Sequence, residues 1–65
     1  MQPHQERVVA EKKELDEKLG KLSAFIGGDI FFSLPHAEQD RLKRQARVMD
    51  QYSGILAERI EVFLP

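Results

Sequence analysis

The sequence has no cysteine and only two histidines, His4 and His36. A disulfide and a cysteine-based zinc site are therefore excluded, and no other metal site is indicated. Long apolar runs are also missing: stretches such as 24–26 and 30–32 hold three residues each, far fewer than the roughly 20 that span a bilayer. Because the opening residues lack the basic and apolar segments of a secretory signal, we expect a cytoplasmic protein with no membrane partner.

An excess of charge of one sign is missing too. Ten Lys and Arg residues face eleven Asp and Glu residues, for a net charge of −1. This balance gives no general attraction to nucleic acid, so double-stranded DNA is not an expected partner. A chain of 65 residues buries only a small core, and without disulfides or a metal, self-association is the remaining way to gain stability. We therefore expect a homo-oligomer.

Two helices are predicted. Glu, Lys and Leu are abundant over about 3–26 and favour a helix there, and its apolar residues fall on one narrow stripe of Val8, Leu15, Leu19, Leu22 and Ile26. The pair Gly27-Gly28 predicts a left-handed helix end. A second helix is predicted from about 35 to 63, with Pro35 in its first turn. The elbow over 27–35 is predicted to hold a single turn capped by Asp29. The predicted fold is an all-α, antiparallel two-helix hairpin that forms one domain over 1–65.

The second helix carries more apolar surface than the first can cover. Its main stripe consists of Leu42, Ala46, Met49, Ser53, Leu56, Ile60 and Phe63. Another set, repeated every seven residues, points more than about 100° away from the main stripe around the helix. It consists of Val48, Ile55 and Val62. We predict that this set forms an oligomer interface together with Ile30 and Phe31 of the elbow. The alternative is a wide stripe that stays partly exposed in a monomer.

Cations are concentrated early in the second helix, at Arg41, Lys43, Arg44 and Arg47, with His36 shortly before them. Guanidinium groups bind phosphate oxygens in pairs, and aromatic side chains stack on bases. We therefore predict a ligand-binding site formed by these five residues with Phe32 and Tyr52. The alternative is an ordinary solvated helix face in which Asp40 pairs with Arg44. No serine or carboxylate lies in a catalytic context, so we expect neither an enzyme nor a cofactor.

Two segments of the sequence carry a resemblance to a known family. The first runs from His4-Gln5-Glu6-Arg7-Val8-Val9 to Lys21-Leu22-x-Ala24-Phe25-Ile26, and the second begins Phe32-x-Leu34-Pro35-x-Ala37-Glu38-Gln39 and continues through Leu42, Met49, Tyr52 and Leu56. Over nearly its whole length the chain resembles a family of very short tailed-phage and prophage proteins, which are labelled crAss-phage-related and have no characterised function. The resemblance implies a phage origin and supplies no catalytic motif.

Short phage proteins of this kind often act against host antiviral defence in the bacterial cytoplasm. The leading hypothesis is an oligomer that sequesters a cyclic nucleotide immune signal between its subunits. One alternative is an inhibitor that binds a host defence protein, as anti-CRISPR proteins do. Another is a structural or assembly protein without a small ligand. The cations and aromatic residues of the second helix favour the first hypothesis.

Overall fold

The computed structural model describes residues 1–63, and its regular structure there is entirely helical. The elements are α1 (Pro3–Ile26), α2 (Asp29–Phe32) and α3 (His36–Glu61). The predicted all-α class is therefore confirmed. None of the helices in the described part of the chain is long and apolar enough to cross a membrane.

The two ends of α1 are formed differently. At its start, Pro3 occupies the first turn and the Gln2 backbone N–H donates a 2.9 Å hydrogen bond to Oε1 of Gln5. At its end, the predicted left-handed cap is wrong, because no residue of 1–63 has a positive φ. Gly27 stays helical at φ −82° and donates its N–H to Ser23 O, and extended Gly28 then turns the chain. Glycine permits a positive φ but does not impose one.

The elbow differs from the prediction at two residues. Asp29 is the first residue of α2, whose N-cap is Gly28, so Asp29 does not cap the turn. Pro35 is the extended N-cap of α3 and lies just outside its first turn. Buried Gln39 of α3 reaches back, and its Nε2 donates to Leu34 O at 2.8 Å and more weakly to Phe32 O at 3.4 Å. These bonds satisfy elbow carbonyls that no helix pairs.

The two long helices lie side by side. The Cα atoms extend 48 × 14 × 14 Å, whereas two helices of this length placed end to end would extend about 75 Å. The start of α1 lies near the end of α3, since Val9 and Ile60 line the same groove. The apolar stripe of each helix is buried or half-buried, with Val8 7% exposed and Leu56 fully covered. The core is therefore one seam between α1 and α3.

Phe31 closes the core at the elbow and is 1% exposed. Its ring lies edge-on to the rings of Phe25, at a centroid distance of 6.5 Å, and of Phe32, at 5.4 Å. Nζ of Lys43 lies 5.7 Å from its centroid, a cation–π contact. We predicted Phe31 at an oligomer interface, but here the chain's own residues cover its side chain. Its neighbours Ile30 and Phe32 remain 67% and 69% exposed.

The contrast between the two adjacent phenylalanines gives a matched test. Replacing Phe31 by Ala should lower the free energy of unfolding by about 3–5 kcal/mol, since it opens a cavity in a small core. Replacing the exposed Phe32 by Ala should cost less than about 1 kcal/mol. Urea denaturation followed by circular dichroism measures both. Equal losses in the two variants would show that Phe31 does not close the core.

Candidate functional site

The cations predicted to form one site divide into two groups around α3. His36, Lys43 and Arg47 are spaced seven and four residues apart, so they share one side of the helix, here called the basic flank. Arg41 and Arg44 precede Val48 by seven and four residues. They therefore align with the apolar row and not with the basic flank. The cluster that looks continuous in the sequence thus belongs to two surfaces.

The basic flank lies next to the elbow. The contact of Lys43 with the Phe31 ring holds this ammonium group near the start of α3. His36 is the first residue of α3, where the partial positive charge of the helix end adds to the potential. Arg47 is exposed and forms no ion pair with any residue of 1–63. The basic flank can therefore attract an anion.

The ion pairs of α3 differ from those that the sequence suggested. Nε of Arg41 lies 2.7 Å from Oε1 of Glu38, so a neighbouring carboxylate already offsets the charge of Arg41. The alternative in which Asp40 pairs with Arg44 is not realised, because within the described residues Arg44 has no ion pair. Arg44 and Arg47 are thus the two arginines of the cluster without an ion pair in the described residues, whereas Arg41 is paired although its side chain is 59% exposed.

The two predicted stacking residues lie apart. Phe32 is 69% exposed and sits beside Phe31, close to the basic flank. Tyr52 is 40% exposed, but it follows Arg47 by five residues and so points about 140° away from it around the helix. A single chain brings Phe32, and not Tyr52, near the basic flank.

The apolar row of α3 is open. Val48, Ile55 and Val62 are 61%, 53% and 80% exposed. This exposure is what an interface with a second molecule requires, and it is also compatible with the alternative of a partly exposed monomer. The partner that covers the row stays a prediction.

The structure contains one groove that the sequence analysis did not anticipate. It has a volume of about 480 Å³, is open to solvent and is lined by Val9, Lys12, Lys13, Asp16, Glu17 and Ile60. Its two lysines and two carboxylates balance in charge, so it does not attract an anion as the basic flank does. The sequence shows polar residues near the apolar stripes, such as Ser53 on α3, but not that a groove forms beside them.

A polar bridge joins the helices beside this groove. Nζ of Lys12 lies 2.6 Å from Oδ2 of Asp16, and the Ser53 hydroxyl donates a hydrogen bond to Oδ1 of the same carboxylate. The hydrogen bond from Lys12 lowers the pKa of Asp16 most, and the bond from Ser53 lowers it further. Together with the charge of Lys12, these bonds outweigh the opposing effect of burial. Asp16 therefore stays ionised at neutral pH.

The lowered pKa makes stability depend on pH. A carboxylate with a lower pKa in the folded state stabilises the fold above its unfolded pKa, and this contribution is lost as the pH falls through the folded value. Asp16→Asn should therefore reduce the free energy of unfolding at pH 7, and its difference from the original protein should shrink below about pH 4. Asp50→Asn is the control. Urea titrations at both pH values measure the effect, and a pH-independent difference for Asp16→Asn would contradict it.

Comparison with known proteins identifies the family. The family model described as Sequestin matches residues 2–62, nearly the whole chain. Neither the comparison with curated proteins nor that with solved structures gave a match. The phage origin implied by the resemblance stays a prediction. The match over almost its full length shows that the chain belongs to the Sequestin family.

Proposed function

We propose that this protein sequesters a cyclic nucleotide that carries an immune signal in host antiviral defence. The observation that carries the proposal is membership in the Sequestin family, whose name refers to sequestering. In this role the protein binds the signal and lowers the free concentration that reaches the receptor of the signal. The resemblance to short phage proteins supports the setting, a phage protein that acts in the cytoplasm of the infected bacterium.

The basic flank supplies the chemistry that such a ligand needs. Each phosphodiester of a cyclic nucleotide carries a negative charge, which Lys43 and Arg47 can bind, the latter through two parallel hydrogen bonds. Exposed Phe32 offers a face on which a base can stack. His36 adds a further donor at the start of α3. These side chains remain exposed, so a ligand can reach them.

A pocket requires more than one chain. The basic flank lies on the convex surface of a helix, whereas small ligands are held in concave sites. We therefore propose that the chain forms a helical hairpin that assembles into a homo-oligomer, with the ligand bound between copies. The exposed Val48, Ile55 and Val62 support this assembly. Tyr52, which points away from the basic flank of its own chain, can then stack on a ligand held by another copy.

The proposed activity is binding without turnover, and it needs no cofactor. The carboxylate whose pKa is displaced, Asp16, is held ionised by Lys12 and Ser53, which makes it a poor proton donor at neutral pH. Binding alone removes a signal when the protein is present in excess over it.

Thermal unfolding with a panel of cyclic di- and trinucleotides tests the proposal. A ligand that binds only the folded state, at a hundredfold excess over its Kd, adds about 2.7 kcal/mol. For a small domain this corresponds to a rise of roughly 10 °C or more in melting temperature. No shift with any member of the panel at high micromolar concentration would contradict sequestration of a cyclic nucleotide.

A pair of variants locates the site. Arg47→Gln should abolish most of the rise in melting temperature, because it removes a phosphate-binding cation from the basic flank. Lys21→Gln removes an exposed cation from α1 and should leave the rise unchanged. Equal rises in both variants would place the ligand elsewhere. A stable complex with a host defence protein, without any nucleotide effect, would instead support the inhibitor hypothesis.

A further inference from the structure

The side of α3 that faces away from α1 has the spacing of a coiled-coil seam. One row repeats every seven residues and consists of Arg41, Val48, Ile55 and Val62, and a second row follows it by three residues and consists of Arg44, Gln51 and Glu58. Together these seven residues are called the outer face. Two such rows have the spacing of the a and d positions of a heptad, although only Val48, Ile55 and Val62 among them are apolar. All seven residues are exposed, so the structure presents a seam without a partner.

The charges along α3 select the partner and its direction. In the first half, 36–47, four cations and two carboxylates give a net charge of +2, and in the second half, 48–61, one cation and three carboxylates give −2. A second copy in the parallel direction would place like charges together. In the antiparallel direction each positive half meets a negative half, which favours that arrangement.

We propose that the outer face binds the same face of a second copy, with the two α3 helices antiparallel. The two-fold axis passes near Gln51, which lies between Val48 and Ile55, so the apolar residues of both copies meet at the centre. Arg41 and Arg44 of one copy then lie beside Glu58 and Glu61 of the partner subunit. Such an interface uses the same patch on both subunits and closes after two chains.

This pairing gives the two groups of cations separate roles. Arg44, which has no ion pair in the described residues, sets the direction of the dimer, because a row of only three apolar residues is too short to specify it alone. Lys43 and Arg47, on the basic flank, stay at the edge of the interface and remain accessible. The dimer forms without any ligand, so this inference goes beyond the proposed sequestration and is tested separately from it.

A charge-swap experiment tests the direction. Arg44→Glu and Glu58→Arg should each weaken the dimer by about tenfold or more, because each places like charges opposite one another. The double variant should restore the dimer to within about threefold of the original, since the opposite charges are paired again. In a parallel dimer, position 44 would face position 44 of the partner subunit, and position 58 would face position 58. The double variant would then not recover the dimer. Sedimentation equilibrium at low salt, without nucleotide, measures these constants.

Two further variants complete the test. Lys21→Glu, on α1, reverses an exposed charge away from the outer face and should leave the dimer unchanged. Ile55→Lys should abolish the dimer while the helical circular dichroism signal persists. A protein that stays monomeric at about 100 micromolar, or a dimer that survives Ile55→Lys, would overturn the inference. The two proposals remain distinguishable. A dimer whose melting temperature does not rise with any cyclic nucleotide would contradict sequestration alone, and a monomer that still shows the rise would contradict this inference alone.

Discussion

α1 has a single narrow apolar stripe, and it can therefore cover only one side of α3. The seam between them buries Val8 and Leu56 and leaves most other stripe residues half-buried. The exposed surfaces of α3 follow from the fact that α1 covers only one of its sides. The opposite side of α3 keeps Val48, Ile55 and Val62 in solvent, and the cations near its start stay accessible. The fold of one chain thus leaves free the surfaces on which a ligand or another copy can bind.

Polar contacts set the alignment of the two long helices. Apolar side chains alone would tolerate a shift of one helical turn, whereas the bridge between Asp16 and Ser53 is made in only one alignment. At the elbow, Phe31 is buried and the side chain of Gln39 donates a hydrogen bond to the backbone carbonyl of Leu34. A seam of this size has little redundancy, so each of these contacts is important for a protein with a small core.

The helical class follows from residue types and spacing, because Glu, Lys and Leu favour helix and the apolar residues recur with its period. The elbow was harder to predict. Three consecutive apolar residues have no periodicity, so the sequence did not distinguish buried Phe31 from exposed Ile30 and Phe32. The left-handed glycine cap was wrong because Gly27 completes α1 with ordinary helical dihedral angles.

Part of the candidate site was also accessible from the sequence. The residue types showed that cations and aromatic rings lie near the start of α3, but their division between the basic flank and the outer face emerges only when spacing and burial are combined. The Lys12–Asp16–Ser53 bridge depends on how two helices align, which no local pattern encodes. One chain does not bring the predicted site residues together, because Arg47 and Tyr52 point about 140° apart around α3.

The central claim is that the protein holds a cyclic nucleotide without altering it. Equilibrium dialysis of a labelled cyclic nucleotide against the protein, followed by denaturation and chromatography of the released label, tests this most directly. The account predicts that the nucleotide accumulates on the protein side in proportion to the protein and is recovered intact. A nucleotide that distributes equally across the membrane, or that is recovered as a cleaved product, would contradict it.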